Sequence, residues 1–126
     1  MKIVLAVAAG GALGAVARYY SAGFVGRLIG LDFPSGTLVV NILGSFLMGL
    51  LVELSALAWS PSPELRAMIA VGFLGAFTTF STFSLDAVLL LQRGQVLSAG
   101  AYVLLSVFLS IGGFVLGLYL VRSLLA

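Results

Sequence analysis

Apolar residues in this chain neither alternate nor form one-sided stripes. They run in four long blocks separated by short polar or Pro/Gly-rich breaks. A helix needs roughly 20 consecutive apolar residues to cross a bilayer, and the blocks predict spans at about 3–20, 37–59, 67–91 and 96–121. Residues 23–34 read as a loop holding Arg27 and Asp32. Ser60-Pro61-Ser62-Pro63 breaks the chain, with Glu64 and Arg66 in or beside that break, and Gln92-Arg93-Gly94-Gln95 turns it.

The polar and small residues inside these blocks are placed in patterns. In the first span Gly10 and Gly14 stand four apart, the spacing that lets membrane helices touch closely, and Arg18 follows one turn later on the same face. The second carries Asn41, Gly44, Ser45 and Gly49 as a small and polar stripe, with Glu53 toward its far end and Trp59 suited to the aromatic belt. The third is unusual: between Thr78 and Ser84 five of seven residues bear hydroxyls, just after Gly72 and Gly75. Gly and Thr have low helix propensity, and Ser and Thr side chains compete for backbone hydrogen bonds. A break is expected near Gly75–Thr79, tolerable at that depth only where protein buries it or a cavity hydrates it. In the fourth span Tyr102, Ser106 and Ser110 recur every four residues along one face, and Gly113 and Gly117 offer another close contact.

Composition turns this pattern into a class. With 62% hydrophobic and 8% charged residues among 126, the chain has too few charges to coat a soluble domain. The expected fold is an all-α integral membrane protein in one domain, 1–126, with four transmembrane helices, the third broken. The six basic residues are scattered, so no nucleic-acid surface is read from the net charge of +2. Cysteine and histidine are absent, which removes disulfides, thiolate sites and the commonest metal ligand. Lys2 and the run up to Ala15-Val16-Ala17 loosely imitate a secretory signal, but Gly10, Gly11 and Gly14 suit a packed helix better, and the first block is read as a retained span.

Four spans put both termini and the middle loop on one side, with Lys2, Arg66 and Arg122; the other side has Arg27, Arg93 and, near the membrane edge, Arg18. Almost no positive-inside bias results. Two readings stay open: a short chain with few charges, or insertion in both orientations to form an antiparallel dimer.

The four carboxylates, Asp32, Glu53, Glu64 and Asp86, form no paired-carboxylate site, and no hydrolytic triad is available. An enzyme is not expected; transport or structure remains. The intramembrane polar groups are mainly neutral donors, namely Asn41, the hydroxyls of 78–84, Tyr102, Ser106 and Ser110. A cation path would use carbonyls or carboxylates, whereas N–H and O–H donors suit a desolvated anion. Phe80 and Phe83 are interleaved with them, and an aromatic ring is positive at its edge. Each feature also has a plainer structural reading: hydroxyls glue helices, phenylalanines pack, Glu53 snorkels and Arg18 anchors a helix end.

Gly72-Phe-Leu-Gly-Ala-Phe-Thr-Thr-Phe-Ser-Thr-Phe-Ser-Leu-Asp86 strongly resembles the signature of the bacterial fluoride channels called Fluc or CrcB. Gly36-Thr-Leu-Val-Val-Asn41 resembles their second-helix motif, and Gly10-Gly-Ala-Leu-Gly14 through Arg18 their first-helix pattern. The likeness covers essentially the whole chain. It implies an antiparallel, dual-topology homodimer in the bacterial cytoplasmic (inner) membrane, with two pores that passively export fluoride. It further implies that Phe80 and Phe83 are pore phenylalanines, that Asn41 holds a pore-side hydrogen bond, and that Thr37 lines a vestibule. Ser81 and Thr82 would join a polar track continued by Tyr102, Ser106 and Ser110. A structural Na+ at the dimer axis would be held by the backbone carbonyls of Gly75 and Thr78. Two positions depart from the family pattern: Asp86 stands where Glu is common, at the pore mouth, and Ala76 where many members have glycine. Two other classes remain, a proton-coupled exporter of cationic drugs using Glu53 and a structural membrane subunit.

Overall fold

A computed structural model describes residues 1–126, which form helices and short connections only. The first helix, α1, spans Lys2–Ile29 and the second, α2, Ser35–Leu57. The third span is two helices, α3 over residues 63–77 and α4 over Phe80–Gln92. The last, α5, spans Val96–Leu125. Each of the four spans is long and apolar enough to cross a membrane.

The largest correction to the expected elements is at the first connection. The chain does not leave the helix at Gly23; α1 continues to Ile29, and only residues 30–34 connect it to α2. Tertiary contact explains this. The last turns of α1 carry Ala22 against the start of α2, where a Cβ on Gly36 would lie 2.3 Å from the Ala22 carbonyl oxygen. Arg27 in the final turn also suits the negative end of the helix dipole. At the other breaks, Ser62 caps α3 by accepting from the Leu65 N–H at 3.2 Å, so Glu64 and Arg66 sit in its first turn rather than in a loop. Gly94, with φ of 78°, makes the turn into α5.

The helices pair as α1 with α3 and α2 with α5, with lighter contact between α1 and α2 and between α4 and α5. Glycine makes the first pairing possible. A Cβ on Gly10 would lie 2.1 Å from the Met68 carbonyl oxygen, and one on Gly14 2.2 Å from that of Phe73. Facing them, residues Ala67–Leu74 are wound as a π-helix, a feature with no signal in the hydropathy pattern. Such wider turns are rare and often mark functional segments.

Only 20 of the 126 residues are buried, and the apolar faces of α1 and α5 lie almost wholly exposed. Water would not tolerate that surface, so lipid or another protein must cover it. A small core of Leu90, Ala99 and Tyr102, flanked by Phe33, Leu38, Phe83 and Ala87, ties α4 and α5 to the start of α2.

Candidate functional site at the helix break

The third span opens at Thr78 and Thr79, whose extended backbone (φ/ψ −93°/158° and −152°/124°) separates α3 from α4. The break falls within the expected window but on the threonines; Gly75 remains helical. Thr79 starts α4 as its cap, its Oγ1 accepting from the Thr82 N–H at 3.1 Å. The Thr78 hydroxyl donates to the Leu74 carbonyl at 2.9 Å, and that of Ser84 to the Phe80 carbonyl at 2.9 Å. These two hydroxyls therefore act as local structural glue.

Side chains from two other helices reach the break. Asn41 of α2 engages Thr79 twice: its Oδ1 accepts from the Thr79 N–H at 2.7 Å, and its Nδ2 donates to the Thr79 carbonyl at 3.0 Å. Arg18 of α1 donates from Nε to the Ala76 carbonyl at 2.9 Å. The carbonyls of Gly75, Phe77 and Thr78 have no backbone partner. Oxygen donors at the C-terminal end of a half-helix are what an alkali cation uses, so Gly75 and Thr78 fit the expected sodium ligands in chemistry.

Two cavities meet at Thr79. The first is a groove of about 330 Å³ between α2, α4 and α5, lined by Asn41, Ser45, Thr78, Thr79, Phe80, Phe83, Ser106, Val107, Ser110 and Ile111. It brings five of the expected path residues together, and no charged side chain lines it. Ser106 is 6% exposed and its hydroxyl has no partner within the chain. Phe80 is 78% exposed, its ring 5.3 Å from that of Phe83. The second cavity, of about 420 Å³, is a vestibule at the α1–α2 connection. Thr37, Thr82 and Asp86 line it, together with Arg18, Arg93, Asp32 and Thr79.

Tyr102 stands between the cavities without lining either. Its ring is fully buried, 5.3 Å from Phe83 and 5.6 Å from Phe33, and its hydroxyl donates to Asp86 Oδ2 at 3.1 Å. The shorter Asp86 arm thus still meets a tyrosine. Ser81 is exposed, its Oγ 3.3 Å from Thr79 Oγ1, and it lines neither cavity. Sequence reasoning put Thr79 at the break and among the hydroxyl donors but gave it no place in the ion path; it lines both cavities and carries most of the contacts at the break. It also read Arg18 as equally suited to anchoring; the available signal was an arginine one turn beyond a close-packing glycine, the one charge on α1 between Lys2 near its start and Arg27 in its last turn. Glu53, away from both cavities, pairs with Arg122 at 3.1 Å.

A multi-pass membrane protein with a split helix, a groove of neutral donors and phenylalanine rings, and a charged vestibule is the class that fold and site define. The family described as CrcB-like protein, Camphor Resistance (CrcB), matches residues 5–118, and this chain belongs to it. A fluoride-specific ion channel FluC of Rhodospirillum centenum is 54% identical over the full length of both chains. The fluoride-specific ion channel FluC 1 of Nitrobacter hamburgensis is 51% identical over 96% of each, and the FluC of Chelativorans 51% identical over 99% of this chain and 100% of its own.

Proposed function

We propose that this chain is a fluoride-selective channel, not an enzyme, that lets fluoride leave the cytoplasm passively. The observation that carries the reading is the groove at the helix break, which neutral donors and two phenylalanine rings line with no fixed charge, in a chain half identical along its length to proteins named fluoride-specific channels. A small anion holds its hydration strongly. Conduction needs substitutes for that water that are weak enough to release the ion. Arg18, Arg93 and Thr37 draw the anion into the vestibule. The edges of Phe83 and Phe80, with the hydroxyls of Ser106 and Ser110, take over its hydration, and Asn41 adds the second hydrogen of its Nδ2. Thr82 continues the polar lining in the vestibule, Ser81 meets the path only through the Thr79 hydroxyl, and Tyr102 positions Asp86.

The functional unit is an antiparallel homodimer in the bacterial inner membrane, with two pores. The near-absent charge bias and the wide exposed apolar faces support this. Na+ at the dimer axis, held by the carbonyls of Gly75 and Thr78, would neutralise the exposed end of α3 and join the two copies. A proton-coupled exporter is disfavoured because its one candidate carboxylate, Glu53, is engaged by Arg122. Purified protein in liposomes is expected to release fluoride passively and to reject chloride strongly; equal flux of both, or none of either, overturns the reading.

A further inference from the structure

A continuous helix through the third span would make four backbone hydrogen bonds across positions 78 and 79: Thr79 to Gly75, Phe80 to Ala76, Ser81 to Phe77 and Thr82 to Thr78, each N–H donating to the carbonyl four residues back. Three of these four are intercepted by side chains. Asn41 Oδ1 takes the Thr79 N–H. Arg18 Nε takes the Ala76 carbonyl. Thr79 Oγ1 takes the Thr82 N–H. The last is a local helix cap, but the first two come from α2 and α1, 38 and 58 residues away in sequence.

We propose that Arg18 and Asn41 are positioning residues that lock the third helix open, each capturing one partner of a hydrogen bond that would otherwise close it. The two arms act on opposite sides of the break. Asn41 removes the donor that belongs to Gly75, which leaves the Gly75 carbonyl free. Arg18 removes the acceptor that belongs to Phe80, which leaves the Phe80 N–H free. One lock therefore exposes a carbonyl at the end of α3 and an amide at the start of α4, at a helix end that carries partial negative charge and a helix start that carries partial positive charge. Arg18 can reach because Gly14, one turn earlier, lets α1 lie directly on the Phe73 backbone. Its guanidinium suits the task, since it stays charged and its hydrogen bond to a carbonyl is stronger than a neutral one. The consequence for sodium rests on the function proposed above; the lock itself does not.

The test compares the wild type with Arg18→Met, which keeps the aliphatic stem, and Arg18→Lys, which keeps a donor, all confirmed as folded by size exclusion. Amide hydrogen exchange at Phe80, read at residue resolution, is expected to slow about tenfold in Arg18→Met as the helix closes, in line with the loss of a charge-assisted hydrogen bond. Arg18→Lys is expected to stay near the wild type. A variant that merely loosened the fold would exchange faster, so unchanged or faster exchange at Phe80 in folded Arg18→Met overturns the proposal. Should Arg18→Met not fold, Asn41→Ser, which shortens the other arm, is read at the Ser81 amide, which has no backbone partner and would bond the Phe77 carbonyl in a closed helix; faster or unchanged exchange there overturns it. In parallel, the melting midpoint is measured against NaCl and KCl. The wild type is expected to gain stability from sodium alone, and Arg18→Met to need about ten times more sodium for the same gain. A wild type that ignores sodium removes the proposed sodium site and one that passes no fluoride removes the channel reading, while the exchange measurement still decides the lock.

Discussion

Ser106 presents a hydroxyl that is almost fully buried, faces the groove and has no partner within the chain. A buried unsatisfied polar group costs about 1–3 kcal/mol, so it is destabilising unless something else uses it. Ser106→Ala is therefore expected to leave the melting midpoint unchanged or raise it while lowering fluoride flux; a variant with lower stability and normal flux would make Ser106 structural glue. Phe80 and Phe83 separate packing from coordination in the same way. Volume-conserving apolar swaps usually cost under about 1.5 kcal/mol, and Phe80 is largely exposed. Phe80→Met and Phe83→Met are expected to keep the folded protein on size exclusion but to cut liposome flux at least tenfold, because they remove the ring edge and keep the bulk. Normal flux in both would reduce these rings to packing. The proper control is Phe73, which is half-buried. Phe77 cannot serve, because it is 4% exposed and stacked on Phe73 at 5.9 Å, so its replacement disturbs the core as well.

At the scale of elements, the pairing of α1 with α3 is the contact most sensitive to a single methyl group. Alanine is the better helix former than glycine by about 1 kcal/mol. At Gly14 that gain is outweighed, since the new Cβ would sit 2.2 Å from the Phe73 carbonyl oxygen and force the helices apart. Overpacking costs typically about 1–3 kcal/mol, and here the obstacle is backbone, which cannot rotate away. Gly14→Ala is expected to lower the melting midpoint and abolish flux, since the displaced α1 would carry Arg18 away from Ala76. Gly23→Ala, with nothing within 4 Å of the added methyl, is expected to be neutral or stabilising. Equal behaviour of the two variants would count against the close approach.

For the whole molecule, the exposed apolar faces and the even distribution of the five arginines and Lys2 bear on assembly. Single-cysteine labelling at Ser62→Cys, in a chain with no other cysteine, is expected to report both sides of the membrane. Labelling from one side only would refute dual insertion. The Glu53–Arg122 pair joins the ends of α2 and α5, with the arginine side chain 54% exposed. An exposed partner can rehydrate, so such pairs contribute about 0–1 kcal/mol. Glu53→Gln is expected to keep fluoride flux with at most a small loss of stability; loss of flux together with proton-driven efflux of a cationic dye in the wild type would restore the exporter.

Sequence alone determined the four spans, because bilayer thickness demands long apolar blocks whatever the fold. It determined that the third span breaks between 75 and 79, because glycines followed by crowded hydroxyls weaken a helix locally. It also placed Ser106 and Ser110 on one face with Tyr102, a consequence of helical period. Only the tertiary structure decided which residues keep that break open and which line the same space. Asn41 and Thr79 are 38 residues apart and Arg18 and Ala76 58 apart, and no local pattern encodes such pairs. The length of α1 beyond Gly23 was likewise decided by Ala22 meeting Gly36, and the burial of Tyr102 away from both cavities by Phe33 and Phe83 closing on its ring. Periodicity fixes which face a side chain shares, but the neighbours on that face come from helices distant in the chain, and packing alone selects them.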